Sequence, residues 1–264
     1  MLFASLGSGS AGNGMLVRSV GGESATTVLV DCGFTLREVE QRLQRLALQP
    51  TQINAILITH EHEDHAGGVE RLARRYDIPI YLTHGTWRAV RWHKQENLRY
   101  HFIEGYQAFQ IGALTVQPYP VPHDAKEPAQ FVFSAAGKRL GLLTDAGCHT
   151  PHISAALQDL HGLVLECNHD LDLLQQSNYP AKLKQRISGP LGHLSNTTAA
   201  NILRDIIHPG MRHIVAAHLS EKNNSPLHAE TILKPILVEI GSQSQLHIAC
   251  QDKGFGWIDL SNDE

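Results

Sequence analysis

Cysteine is scarce in this chain of 264 residues. There are four, Cys32, Cys148, Cys167 and Cys250, and no two form a C-x-x-C pair. That spacing excludes a zinc ribbon, a dithiol redox motif and a dense disulfide scaffold, and fits reduced thiols in a cytoplasmic protein. No run approaches about 18 consecutive apolar residues, so no transmembrane helix is expected. The first residues carry no basic stretch ahead of an apolar core, so no signal peptide is expected either. Positive charge is also modest: Lys and Arg total 22 against 26 Asp and Glu, for a net charge of −4. A strongly basic nucleic-acid binder is therefore not indicated, although a local basic patch stays open. Linkers rich in Pro, Gly or Ser, internal repeats and low-complexity tracts are all missing. One domain spanning residues 1–264 is the expectation.

What the chain has in excess is histidine, 17 residues. Histidine titrates near neutrality and is the commonest metal ligand. Hydrophobic residues make up 42% and charged residues 18%, which suits a packed globular core rather than disorder.

Strand and helix patterns alternate in two batches. Short apolar runs at 2–6, 15–20, 26–30, 55–59 and 78–82 read as strands. Thr35 with Glu38 makes a capping box ahead of a helical pattern, and 66–76 reads as a helix. The second batch has strands at 108–111, 114–121, 129–135, 139–144, 162–166 and 213–217. A helix is expected near 153–160, another from about Asp170, and a third capped by Ser195. Ser225-Pro226 places proline at the first position of a further helix. Strands at 246–250 and 256–260 follow. The pattern predicts an α/β fold with two sheets flanked by helices.

The strongest motif is Thr59-His60-Glu61-His62-Glu63-Asp64-His65, directly after an apolar strand. Three imidazoles and a carboxylate at a strand end suit a divalent cation: zinc, and also manganese or iron. Other candidates sit at comparable places. His123 follows the strand at 114–121, Asp145 the one ending at 144, and His218 the one ending at 217. Any one alone would serve equally as a surface or capping residue. Their shared strand-end position makes them ligand candidates.

The H-x-H-x-D-H motif with the later His, Asp and His resembles the metallo-β-lactamase superfamily. More narrowly, the chain is similar to the YycJ/WalJ family. The segments that carry this are 5–13 (SLGSGSAGN), 30–33 (VDCG), 73–76 (ARRY), 78–81 (IPIY), 166–170 (ECNHD), 192–196 (GHLSN) and 218–224 (HLSEKNN). Glu63 and Gly14 stand where the family pattern has serine. The resemblance implies an αββα sandwich with two metals at one edge of the sheets. It implies His60, His62 and His123 on one ion, Asp64, His65 and His218 on the other, and Asp145 bridging. Asp31 would orient a ligand imidazole.

Two ions about 3.5–4 Å apart can share a water and make a hydroxide nucleophile at neutral pH. The substrate is argued from the second half. Gly192-His193-Leu194-Ser195 is similar to the segment of phosphodiesterase members in which a glutamate-buttressed histidine protonates the leaving alkoxide, and Glu166 stands in the matching place. His193 is accordingly the expected general acid and Glu166 its orienter, with Asp64 counted in both the catalytic and the metal set. His169, Ser195 and Asn196 are candidate substrate contacts.

The resemblance implies a DNA exonuclease of 5′-to-3′ polarity, with DNA as partner and no membrane or obligate protein partner. The segment from Trp87 through Lys94 to His101 mixes cations with aromatics and suits a nucleic-acid backbone as well as a solvated helix. Lys182, Lys184 and Arg186 form a weaker basic cluster. A small-molecule hydrolase, acting on a cyclic phosphodiester, thioester or lactone, is the alternative. A protein with a purely structural metal is a third reading, for which seven ligand candidates are too many.

Overall fold

A computed structural model of the chain describes residues 1–19, 25–93, 95 and 97–261. Val20, at the end of an expected strand, and Lys94, in the basic aromatic segment, lie outside them.

Along the chain come β1 (Leu2–Gly7), β2 (Gly14–Ser19), β3 (Thr26–Val30), α1 (Leu36–Arg45), β4 (Ala55–Leu57), α2 (Glu63–Ala66), α3 (Val69–Tyr76), β5 (Ile80–Leu82), α4 (His84–Ala89) and β6 (Tyr100–Phe102). The second batch is β7 (Phe109–Ile111), β8 (Leu114–Pro120), β9 (Ala129–Ala135), β10 (Lys138–Leu143), α5 (Pro151–Ala156), β11 (Gly162–Glu166), α6 (Leu171–Gln176), α7 (Ala181–Ile187), α8 (Asn196–Ile206), β12 (His213–Ala217), α9 (Pro226–Glu239) and β13 (Gln245–Ile248). The last strand, β14 (Phe255–Asp259), returns to pair antiparallel with β1.

Two mixed sheets of seven strands result, in the orders β14-β1-β2-β3-β4-β5-β6 and β13-β12-β11-β10-β9-β8-β7. Each is antiparallel on one side and parallel on the other: β3 to β6 run parallel, as do β10 to β13.

Period-two alternation shows why the layers form. Val28 and Val30 point between the sheets, where they join Phe131, Phe133, Val164 and Val215. Leu29 points the other way, against Val39, Leu43 and Leu72 of the helices. On the second sheet Leu163 and Leu165 pack outward against Ile202, Leu203 and Ile236. Strands buried on both faces need near-continuous apolar sequence, which is what β3, β11 and β12 supply. Each such leucine or isoleucine removed from water contributes about 1.5–3 kcal/mol. The product is the expected αββα sandwich.

The capping box at Thr35 and Glu38 is formed, with Thr35 N–H donating to Glu38 Oε2 at 2.9 Å. Two helices differ from expectation. The one expected over 66–76 is divided between α2 and α3 at Gly67 and Gly68. A Cβ on Gly68 would stand 1.8 Å from the Phe34 carbonyl oxygen, so the two segments approach there as only glycine allows. The helix expected from Asp170 is divided between α6 and α7. Pro180 lacks an N–H and disfavours helical geometry at Tyr179, and it stands just before α7.

Strand directions bring the ends of β3 and β4 to one edge of the first sheet and those of β8, β10, β11 and β12 to one edge of the second, and the side chains that follow them meet. That meeting point carries the candidate site.

Candidate metal centre

The turn after β4 presents His60, His62, Asp64 and His65. Asp31, just past β3, fixes its near end: Oδ1 accepts the Thr59 N–H at 2.8 Å, and Oδ2 accepts the Thr59 hydroxyl and His65 Nδ1, each at 2.8 Å. Gly33 lets the backbone of this turn approach, since a Cβ there would be 1.9 Å from the Asp64 carbonyl oxygen. The loop between β1 and β2 closes over it. Asn13 Nδ2 lies 3.1 Å from His65 Nε2 and 3.4 Å from Asp64 Oδ2, and the Asn13 N–H donates to the Asp64 carbonyl at 2.8 Å.

The second sheet delivers the rest. His123 follows β8, Asp145 follows β10, Glu166 ends β11 and His218 follows β12. His193 comes from the loop before α8. Asp31, Asp145 and His218 have φ of 59°, 53° and 56°. Left-handed backbone is uncommon for non-glycine residues, and here it marks three strand ends whose side chains all enter the cluster.

One pattern unites four of the imidazoles. His65 Nδ1 bonds Asp31, His123 Nδ1 bonds the Gly192 carbonyl at 3.0 Å, His60 Nδ1 bonds the Thr59 hydroxyl at 3.0 Å, and His218 Nδ1 lies 3.2 Å from Glu166 Oε1. With Nδ1 held by a fixed oxygen, Nε2 is the nitrogen each ring would offer to an ion at the centre.

The candidate ligand atoms fall into groups within 4.8 Å of one another: His60, His62 and His123; Asp64, His65 and His218; His60, His65 and Asp145; a fourth group, Asp145, Glu166, His193 and His218, overlaps them. Asp145 lies between the sets, with Oδ2 3.1 Å from His65 Nε2 and Oδ1 3.6 Å from His218 Nε2. His60 Nε2, His218 Nε2 and Asp145 Oδ2 are buried without a hydrogen-bond partner. Orphaned buried polar atoms are costly, and a divalent cation would satisfy all three. The donor set, imidazole and carboxylate, fits such an ion.

Electrostatics point the same way. Burial, reinforced by His65, pushes His60 well below the ordinary histidine range, so it stays neutral. Burial opposes charge on His65 too, but Asp145, Asp31 and Asp64 outweigh it and hold the imidazole well above that range. His218 is likewise raised against burial to about 10, by Asp145, Asp64 and Glu166. An edge this rich in carboxylate favours cations.

Beside these groups Glu166 Oε1 lies 2.8 Å from His193 Nδ1, and Oε2 accepts the Ala146 and Leu194 N–H groups at 2.9 and 3.2 Å. Burial raises the Glu166 pKa, but His193 and His218 bring it down to about 2. Glu166 is fully buried, whereas the His193 side chain is 23% exposed. Burial disfavours the His193 cation, yet Glu166 and Asp145 raise its pKa overall.

Ser195 caps α8 through the Thr198 N–H, and Asn196 Nδ2 bonds Asn224 Oδ1 at 3.0 Å, so both are engaged by the fold. His169 is buried with both ring nitrogens unpaired, and burial lowers its pKa to about 4. In the aromatic segment Trp92 stacks on Tyr100 and Trp87 meets Phe102 edge-on, with Phe102 left exposed. Sequence reasoning gave no role to Asn13, to Ser8, whose hydroxyl accepts the His218 N–H at 2.9 Å, or to Asp124. The glycine- and serine-rich run at 5–13 was the only signal for the first two.

The layered sheets with an imidazole and carboxylate edge define a metallo-hydrolase class, and the chain belongs to the beta-lactamase superfamily, whose domain profile matches residues 26–219. It is 34% identical over 243 residues, 90% of each chain, to exodeoxyribonuclease YycJ of Bacillus anthracis. It is 33% identical over 231 residues, 84% of this chain and 82% of the other, to exodeoxyribonuclease WalJ of Streptococcus pneumoniae. Within the superfamily it is thus a member of the YycJ/WalJ family. The crystal structure of the metallo-beta-lactamase fold protein YhfI from Bacillus subtilis has the same fold, with a TM-score of 0.72, 15% identity, and 97% of this chain and 98% of that one covered. All four cysteines are free, and among the described residues no helix is long and apolar enough to cross a membrane.

Proposed function

We propose that the chain is a dinuclear metal-dependent phosphodiesterase that degrades DNA from an end, with 5′-to-3′ polarity. The observation that carries this is the 2.8 Å contact between Glu166 Oε1 and His193 Nδ1 at the rim of the ligand groups. A thioester hydrolase has less need of such a pair, because a thiolate leaves readily. A phosphodiester loses an alkoxide, a poor leaving group that benefits from a positioned acid by roughly 10²–10⁴-fold.

His60, His62 and His123 would hold one ion, and Asp64, His65 and His218 the other, with Asp145 reaching both. Bound there, zinc, or manganese or iron, would polarise the phosphoryl oxygen and lower the pKa of a water. The protein's own part is then proton handling and aim. Glu166, held by two backbone N–H groups, accepts from His193 Nδ1 and favours the charged imidazole. His193 Nε2–H is left to donate to the departing oxygen. Asp31 and Thr59 fix two ligand rings in the right tautomer. The identities of 33–34% to two exodeoxyribonucleases over most of the chain support DNA as the substrate.

Digestion of 5′- and 3′-labelled single- and double-stranded DNA with added Zn²⁺ or Mn²⁺ tests the reading, run beside bis-p-nitrophenyl phosphate and a thioester. Early release of the 5′ label as mononucleotide is expected. Activity on the thioester alone would overturn the reading.

A further inference from the structure

The ion pair of Asp124 with Arg186 takes no part in the chemistry above. Asp124 directly follows His123, and its N–H donates to the Leu191 carbonyl at 3.0 Å, which ties it to the segment leading to His193. Its Oδ1 lies 3.5 Å from His123 Nε2 and 3.9 Å from His62 Nε2. Its Oδ2 accepts from Arg186 Nε at 2.6 Å. A single carboxylate therefore separates the guanidinium from the three-histidine group.

The segment of Arg186 is also tied to the proposed acid. The next residue, Ile187, accepts the His193 N–H through its carbonyl at 2.8 Å. The arginine side chain is 60% exposed, and among the described residues only its Nε is bonded. The two terminal nitrogens remain free donors.

This placement answers an electrostatic problem. The edge carries Asp31, Asp64, Asp145 and Glu166, with Asp124 beside them, and a polyanion approaching it meets net repulsion unless cations offset it. Bound ions would offset part. Arg186 adds a charge that no pH in the working range removes. Its planar fork matches two oxygens of a phosphate, and anchoring through Nε fixes that fork's orientation.

We propose that Arg186, aimed by Asp124, holds the non-bridging oxygens of a DNA phosphate next to the scissile one and so sets the register of the strand against His193. The assignment rests on the nuclease reading and adds to it a specific strand contact. Lys182 and Lys184 lie on the same helix, where Lys184 Nζ donates to the Gln175 carbonyl.

The test uses the full chain loaded with metal and the variants Arg186→Ala, Arg186→Lys and Asp124→Asn. KM and kcat are measured on end-labelled single-stranded DNA. Binding of a fluorescein-labelled oligonucleotide is followed by anisotropy in the His193→Ala background at several salt concentrations. Arg186→Ala should raise KM about tenfold, the loss of one charge-assisted contact, with a smaller change in kcat. Its log–log salt slope should fall by about 0.7, one phosphate contact on a single strand. Arg186→Lys should recover the slope but only part of the affinity. Asp124→Asn should raise KM while keeping the slope, because the charge stays and its aim is lost. A wild-type nuclease whose slope is unmoved by Arg186→Ala, or in which that variant lowers kcat alone, overturns the assignment by itself. A wild-type protein that cuts bis-p-nitrophenyl phosphate but neither binds nor degrades DNA overturns the nuclease reading, and the assignment with it.

Discussion

Glu166 Oε1 stands 2.8 Å from His193 Nδ1, so a fully buried carboxylate is bonded to a partly exposed imidazole. The same oxygen is 3.2 Å from His218 Nδ1, which joins the proposed acid and a proposed ligand through one atom.

That contact fixes the sign of a pH effect. Burial works against charge on His193, but Glu166 and Asp145 raise its pKa above the ordinary value. The donating form exists below that pKa, so turnover should fall as pH rises through it. Glu166→Gln removes the negative charge, lowers the His193 pKa and should move the high-pH limb of kcat to lower pH. His193→Ala should keep its metal and lose about a hundredfold or more in turnover. Profiles of kcat against pH for the three proteins decide this, and a high-pH limb unmoved by Glu166→Gln would dispose of the pairing.

Asp31 touches no ion in the proposed arrangement, yet it holds Thr59 and His65. Asp31→Asn should weaken metal binding by about 10–100-fold, read by competition with a chromophoric chelator. Metal in hundredfold excess over its dissociation constant should add about 2.7 kcal/mol to folding stability. Chelation should therefore lower the melting temperature of the wild type by several degrees and that of Asp31→Asn by less. Equal affinities would assign Asp31 to the turn alone.

Gly33, just past β3, lies against the backbone of the ligand turn. Gly33→Ala would place a methyl carbon 1.9 Å from the Asp64 carbonyl oxygen, a clash with backbone that no side-chain rotation relieves. It should cost more than about 3 kcal/mol and reduce metal content. Gly256→Ala, where the added carbon meets nothing within 4 Å, is the control and should stay within about 0.5 kcal/mol. Thermal unfolding of both variants gives the comparison.

The sequence announced its elements where local chemistry decides them. The short apolar runs at Thr26–Val30 and Gly162–Glu166, and the caps at Thr35, Ser195 and Ser225, need only neighbours along the chain. The ligand candidates were legible because each is a His or Asp set at a strand end. What stayed hidden depends on contacts distant in sequence. Asn13 meets Asp64 across 51 residues, and Ser8 meets His218 across 210. Serine and asparagine in a glycine-rich run announce a turn and nothing about its partner. The second partner of Glu166 and the pairing of Asp124 with Arg186 were hidden for the same reason. The division of α2 from α3 was missed because Gly68 answers to the Phe34 carbonyl rather than to its own helix.

Asp31, Asp145 and His218 keep a backbone conformation that glycine or asparagine would adopt more readily. Each such residue costs on the order of 1 kcal/mol or more, a debt the fold carries for the sake of its side chains. The debt gives this lineage a direction of decay. A descendant released from selection for chemistry would gain stability by exchanging these three for glycine or asparagine, and would keep its sandwich while losing its centre. Under the proposed arrangement, aspartate or histidine at all three turns would mark a descendant that keeps the centre.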